Sequence, residues 1–171
     1  MKKIFAAILC VLMLTALAAC NGGTNPPSPT VPSNISSAGN FYFEVKGIRL
    51  TIGADPEAVL DSLGEARNTR VDNSCAEVAV ETIYDFINYE LSINEPAGGQ
   101  PYIKSLSLKD DTYPTVEGIY IGSSFEEVTA AYGTDYAENN GFYTYTRATS
   151  TMQIQITNGA VSQLVYDYLV V

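Results

Sequence analysis

Two stretches decide how this chain is read. The first is Gly47-Ile48-Arg49-Leu50-Thr51-Ile52-Gly53-Ala54-Asp55-Pro56-Glu57-Ala58-Val59-Leu60-Asp61-Ser62-Leu63-Gly64, and the second is Ile121-Gly122-Ser123-Ser124-Phe125-Glu126-Glu127-Val128-Thr129-Ala130-Ala131-Tyr132-Gly133. Set one above the other, they bring Ile52, Gly53, Glu57, Val59 and Gly64 onto Ile121, Gly122, Glu126, Val128 and Gly133, a constant offset of 69 residues. Further on, Ile103-Lys104-Ser105-Leu106 lies over Val161-Ser162-Gln163-Leu164 at an offset of 58. The same local grammar recurring in the same order predicts an internal repeat, with halves at about 41–112 and 113–171.

Each copy reads as a strand stopped by a glycine, then a short helix. In the first copy Asp55 is the expected N-cap, Pro56 the first helical residue, and Gly64 a left-handed C-cap. In the second, Ser124 with Glu127 spells a capping box, and Gly133 ends the helix. Val59, Leu60 and Leu63 make one apolar stripe, and Phe125, Val128 and Tyr132 the other. The period then changes to two: Tyr89, Leu91 and Ile93 alternate with polar residues, as do Met152, Ile154 and Ile156. Asn158-Gly159 marks a tight hairpin, and Glu95 to Gln100 a longer turn. Tyr84 to Ile87 and Phe142 to Thr146 read as preceding strands, while Ala66 to Glu81 reads as a loop holding one strand at Val78 to Val80. The expected fold class is α+β: two α-β-β-β repeats forming an antiparallel sheet, with short helices packed on one face.

The N-terminal segment carries an address. Lys2 and Lys3 precede an uncharged apolar run from Ile4 to Ala19, too short for an ordinary membrane span of about 20 residues. The run closes on Leu17-Ala18-Ala19-Cys20, with no positive stop-transfer cluster after it. Residues 1–19 are therefore expected to be a signal peptide. Residues 20–40 are a flexible spacer rich in Asn, Gly, Thr, Pro and Ser, and residues 41–171 a single domain.

Those motifs carry a resemblance. Small residues leading directly into Cys20 resemble the bacterial lipobox, which implies lipidation at Cys20. The implied location is the extracytoplasmic side of a cell membrane, on the outer surface of a Gram-positive cell. Lipid on Cys20 would be the membrane contact. The duplicated helix–hairpin grammar resembles the β-lactamase inhibitor protein fold and the small lipoproteins of outer-membrane assembly, which carry one such unit. Gly118-Ile119-Tyr120-Ile121-Gly122 through Val128 is similar to a signature in lipoproteins of clostridia and their relatives. None of these families has an inhibitory or catalytic residue that maps onto a position of this chain.

Charge and composition narrow the partners. The net charge is −10 and becomes −12 once Lys2 and Lys3 leave with the signal. Such a surface excludes nucleic acid as a partner, because both are polyanions. Of the three cysteines, Cys10 lies in the signal and Cys20 is the lipid acceptor, so Cys75 is expected as a small buried side chain. The absence of histidine removes Ser-His-Asp and Cys-His machinery and histidine metal sites. Lys104 and Ser105, as strand neighbours, are expected on opposite sheet faces and so form no dyad. Asp110-Asp111 and Glu126-Glu127 read as solvated carboxylate pairs, and neither a cofactor nor a metal is called for.

Twelve tyrosines and no tryptophan are the compositional oddity. Tyrosine suits both interfaces and strands, and the reading as core residues weighs more for any single one. If the apolar strand positions face the helices, Glu90, Ser92, Ser105, Ser107, Gln153, Gln155 and Gln163 face away and make a candidate binding face. The functional expectation is a non-catalytic protein-binding or scaffolding module. The alternative is an inhibitor of an extracytoplasmic hydrolase, such as a β-lactamase or a protease. A carboxylate-based envelope enzyme ranks behind both.

Overall fold

The computed structural model describes residues 39–74 and 79–169. The expected signal peptide, Cys20, nearly all of the spacer, and Cys75 lie outside the described residues. Among the described residues no helix is long and apolar enough to cross a membrane.

A hairpin comes first, formed by β1 (Tyr42–Val45) and β2 (Ile48–Thr51), followed by α1 (Glu57–Leu63). Four strands follow: β3 (Asn68–Ser74), β4 (Ala79–Asp85), β5 (Tyr89–Pro96) and β6 (Tyr102–Leu108). The second half contains α2 (Phe125–Tyr132), then β7 (Ala137–Asn139), β8 (Phe142–Arg147), β9 (Ser150–Thr157) and β10 (Ala160–Tyr168). The large sheet has eight strands in the order β3-β4-β5-β6-β10-β9-β8-β7, every pair antiparallel. It is therefore two meanders running outward from a central β6–β10 seam.

The expected α+β layering does not form. The described residues are mostly β, at 50% strand and 12% helix, with four strands per half in the large sheet instead of three. What covers the inner sheet face explains the difference. Each helix buries one residue completely, Leu63 in α1 and Val128 in α2. The hairpin and its flanks bury Phe41, Phe43, Val45, Leu50 and Ile52, all at 0–2% exposure. At about 1.5–3 kcal/mol for each large apolar side chain removed from water, the hairpin contributes more core than both helices. Its strands alternate cleanly, but the turn between them is Lys46-Gly47, with φ of 52° and 79°, and lacks the usual Asn or Asp. Against the hairpin, Phe43 meets Tyr89, Tyr113 and Tyr166 with ring centroids 6.2–6.3 Å apart. The whole core cluster falls between Phe41 and Tyr166, so this body carries its own core.

The stretch from Ala66 to Glu81 is also corrected. It contains the edge strand β3 and the start of β4, paired from Asn68–Asp85 to Ser74–Ala79. Its composition is polar because β3 stands at the margin of the sheet, where one flank meets solvent. The helix ends differ in detail as well. Pro56 occupies the N-cap of α1, and Asp55 instead accepts from the Glu57 amide at 2.9 Å. The capping box of α2 forms, with Ser124 N donating to Glu127 Oε2 at 2.7 Å and Glu127 N donating to Ser124 Oγ at 3.2 Å. Gly64 and Gly133 both have φ of 82° but extended ψ, a region open essentially to glycine, and not the left-handed helical cap expected.

The two halves share hydrogen bonds where the sequence comparison aligned them. Gly53 N donates to Ile103 O, and Ile103 N to Ala54 O, at 2.8 and 2.9 Å. Gly122 N donates to Val161 O, and Val161 N to Ser123 O, both at 2.8 Å. Directly after Ile103 and Val161 the register slips, with Lys104 and Ser162 as the extra residues of two β-bulges. The chain enters the domain one residue earlier than expected. Asn40 donates to Ile52 O at 2.8 Å and accepts from the Thr149 amide at 2.9 Å, joining the first residues to the β8–β9 turn.

Candidate functional site

The strand register places the seven candidate residues on one surface, the sheet face turned away from the hairpin. One rung across the sheet runs Asp85, Glu90, Ser107, Val165, Gln153, Thr144. The next runs Ile83, Ser92, Ser105, Asp167, Thr151, Thr146. Gln155 and Gln163 pair with each other two residues farther along, in unbroken register just before the Ser162 bulge. Their environments differ. Gln163 is exposed; Glu90, Ser105, Ser107, Gln153 and Gln155 are half-buried; Ser92 is buried at 4% exposure. Glu90 takes a forked contact from the Arg70 guanidinium at 3.2 and 3.3 Å.

Ser92 belongs to a charged network that sequence reasoning missed. Its hydroxyl donates to Glu81 Oε1, and Lys104 Nζ reaches Glu81 Oε2 at 2.5 Å across the width of β5. Ser92 and Ser105 face each other on the open side, so Lys104 and Ser105 lie on the same face. The expectation of opposite faces assumed an unbroken strand, and the bulge breaks that alternation. Burial pushes the Glu81 carboxyl up, but hydrogen bonds from Lys104 and Ser92 and the nearby positive charge bring it below its ordinary range. The same hydrogen bond, with the charge of Glu81, raises Lys104. Asp167 on the other side is raised by its burial. Lys104 is thus held cationic, an electrostatic anchor and not a base.

Most of the tyrosines pack with the core instead. Tyr84, Tyr145 and Tyr166 share the inner rung with Leu91, Leu106 and Met152. Burial pushes the Tyr89 and Tyr145 hydroxyls up to about 12, helped by neighbouring tyrosines. Nine of the twelve tyrosines join the core cluster, whereas Tyr42, Tyr102 and Tyr120 stand outside it, and Tyr102 accepts from Asn94 at 2.8 Å on the candidate face.

A second constellation lies at the α2 end of the molecule. A cavity of about 270 Å³ opens between Phe41, Ala131, Tyr132, Asp135, Tyr145 and Arg147. Behind it, Arg147 NH1 donates to Glu117 Oε1 at 3.0 Å, with side chains only 17% and 8% exposed. The guanidinium stacks over the Phe41 ring at 4.4 Å. Tyr132 Oη lies 2.7 Å from both Glu117 Oε2 and Thr115 Oγ1. Its single proton goes to the carboxylate, which can only accept, so Thr115 donates in turn. Burial first, then the neighbouring Tyr166 and Glu117, holds the Tyr132 hydroxyl well above its ordinary value. The Tyr166 hydroxyl is wholly buried beside Tyr132 and is raised by that burial. Phenols held protonated around an engaged ion pair can donate hydrogen bonds and brace it. Sequence reasoning missed Glu117 and Arg147, which lie 30 residues apart with no local motif joining them.

The carboxylate pairs have local duties. Asp110 accepts from Thr112 and Asn88, which hold it below its usual range, and Glu127 closes the capping box of α2. Among the described residues no group of three or more His, Cys, Asp or Glu side chains could hold a metal ion. The chain matches no family model, no curated protein and no solved structure.

Proposed function

We propose that this chain is a recognition module, a lipid-anchored extracytoplasmic lipoprotein whose open sheet face binds a protein partner. The observation that carries the reading is the rung from Asp85 through Glu90, Ser107, Val165 and Gln153 to Thr144, which crosses six strands on one face with a polar residue on five of them. A pleated surface of that breadth offers hydrogen-bonding groups at fixed spacing, and the core behind it holds them in place. The charge of the domain suits a partner with a basic or neutral polar surface. Lipid on Cys20 and the spacer up to residue 40 would set this face off from the membrane.

The test uses residues 31–171 as bait on detergent-solubilised envelope, beside a Gln153→Arg/Gln163→Arg variant with an unchanged circular dichroism spectrum. The expected outcome is a protein retained by the native domain and lost with the variant. Equal retention by both, or no retention above background, overturns the reading.

A further inference from the structure

The eight-stranded sheet has two edges of different kinds. One is β7, three residues long, and the other is β3, seven residues long and flanked, among the described residues, by β4 on one side only. A long edge leaves a row of backbone N–H and C=O groups able to pair with another strand. Proteins usually blunt such an edge with like charges, proline or a bulge. β3 has no proline, and its pairing to β4 is unbroken from Asn68 to Ser74.

Its charges are arranged differently from a guard. The strand reads Asn68-Thr69-Arg70-Val71-Asp72-Asn73-Ser74, with opposite charges on the two sides of Val71. Place a second copy antiparallel to it, with the twofold axis through Val71. Arg70 then faces Asp72 of the second copy, Asp72 faces its Arg70, and Val71 faces Val71. A parallel arrangement in register would put Arg70 against Arg70 and Asp72 against Asp72. The charge pattern therefore selects antiparallel self-pairing centred on one residue.

The side chains are available for this. Val71 is 56% exposed, the second most exposed of the large hydrophobic residues in the body. Arg70 and Asp72 have side chains 49% and 63% exposed, and within one chain their closest approach is a loose 3.9 Å. Directly opposite residues on paired strands bring their Cβ atoms to about 4.5–5.5 Å, a better distance for this ion pair. The Arg70 guanidinium already reaches Glu90 on the open face, so Asp72 of the second copy would complete a carboxylate–guanidinium–carboxylate row.

We propose that β3 is a homodimerisation edge, on which two copies of this chain join their sheets antiparallel about Val71. It rests on the edge strand alone and is independent of the partner-binding reading above. A seven-residue strand contact is small, so association in free solution is weak, and confinement of both copies to one membrane surface would raise it.

Sedimentation equilibrium on residues 31–171, from about 10 µM to about 1 mM, tests the proposal across the range of a small interface. The native domain is expected to rise from monomer mass toward twice that mass. Arg70→Asp alone and Asp72→Arg alone each place like charges opposite one another and are expected to stay monomeric. An equimolar mixture of the two variants restores opposite charges at both positions and is expected to associate again, which also shows that both are folded. A native domain that stays monomeric, single variants that associate like it, or a mixture that stays monomeric would each overturn the proposal.

Discussion

Where the two halves make matching backbone hydrogen bonds, before each helix and at each bulge, their side chains serve different purposes. At the offset of 69 residues, Leu50 of β2 aligns with Ile119 in the loop before α2, where the expected strand does not form, and both are buried, at 0% and 4% exposure. Two residues before them stand Ile48 and Glu117. In the first half that place packs an aliphatic side chain against the core. In the second it carries the carboxylate that holds Arg147, with Tyr132 beside it. The bulges diverge in the opposite sense: Lys104 spans β5 to an ion pair, whereas Ser162 stays beside Thr157 and Gln155. Strand ends, bulges and the glycine before each helix are fixed by backbone bonds. Side-chain charge is free to differ as long as each buried group finds a partner.

The largest expected effect breaks the second-half network. Arg147→Ala leaves Glu117 nearly buried without its cation, and about 2–4 kcal/mol of unfolding free energy should be lost in urea titration. Replacing both members, Glu117→Ile with Arg147→Met, gives the second half the apolar character of the first and should recover most of that loss. If the single variant costs under about 1 kcal/mol, the pair behaves as an exposed one and the contrast between halves fails.

A smaller difference is expected at the paired glycines. Gly53 and Gly122 have φ of 84° and 103°, where any side chain is strained. A Cβ on Gly53 would also sit 2.6 Å from the Tyr168 ring, whereas one on Gly122 meets nothing within 4 Å. Gly122→Ala is expected to cost about 1 kcal/mol and Gly53→Ala about twice that. Equal losses would mean that Tyr168 swings aside freely.

These contrasts also mark what could be read from the chain. The Asn158-Gly159 turn, the capping box and the alternation in β5 and β9 were legible, because each depends on residues a few positions apart. Of the hairpin, the strand before Gly53 was read but its partner β1 was missed, because the turn joining them is Lys46-Gly47. β3 was missed because an edge strand need not alternate apolar and polar residues. The candidate face was placed on one surface by period alone, whereas the partners of Ser92 and Glu90 were not. Glu81 and Arg70 lie 11 and 20 residues away and meet them only through the sheet. The Glu117–Arg147 pair spans 30 residues and two elements, with no local signature at all.

The smallest expected effect concerns the Lys104 bulge and is best seen through pH. Glu81 is depressed in the folded state, so its contribution is complete above its unfolded pKa of about 4.3 and fades as pH falls through the lower folded value. Lys104 is raised, so its contribution is complete below about 10.4 and fades as pH rises through the higher folded value. Their coupling should be flat between about pH 5 and pH 10 and decline outside that window. With side chains 35% and 22% exposed, it should not exceed about 1 kcal/mol. Asp167 faces the same lysine and works in the opposite direction. Burial raises it, so ionising it costs stability as pH climbs through the acid range. A double-mutant cycle of Glu81→Gln and Lys104→Met in an Asp167→Asn background separates the two effects. Ser162→Ala, at the matching bulge, introduces no titrating group and should shift stability equally at every pH. A Glu81–Lys104 coupling of zero at pH 7 would show that this bulge differs from its counterpart in appearance only.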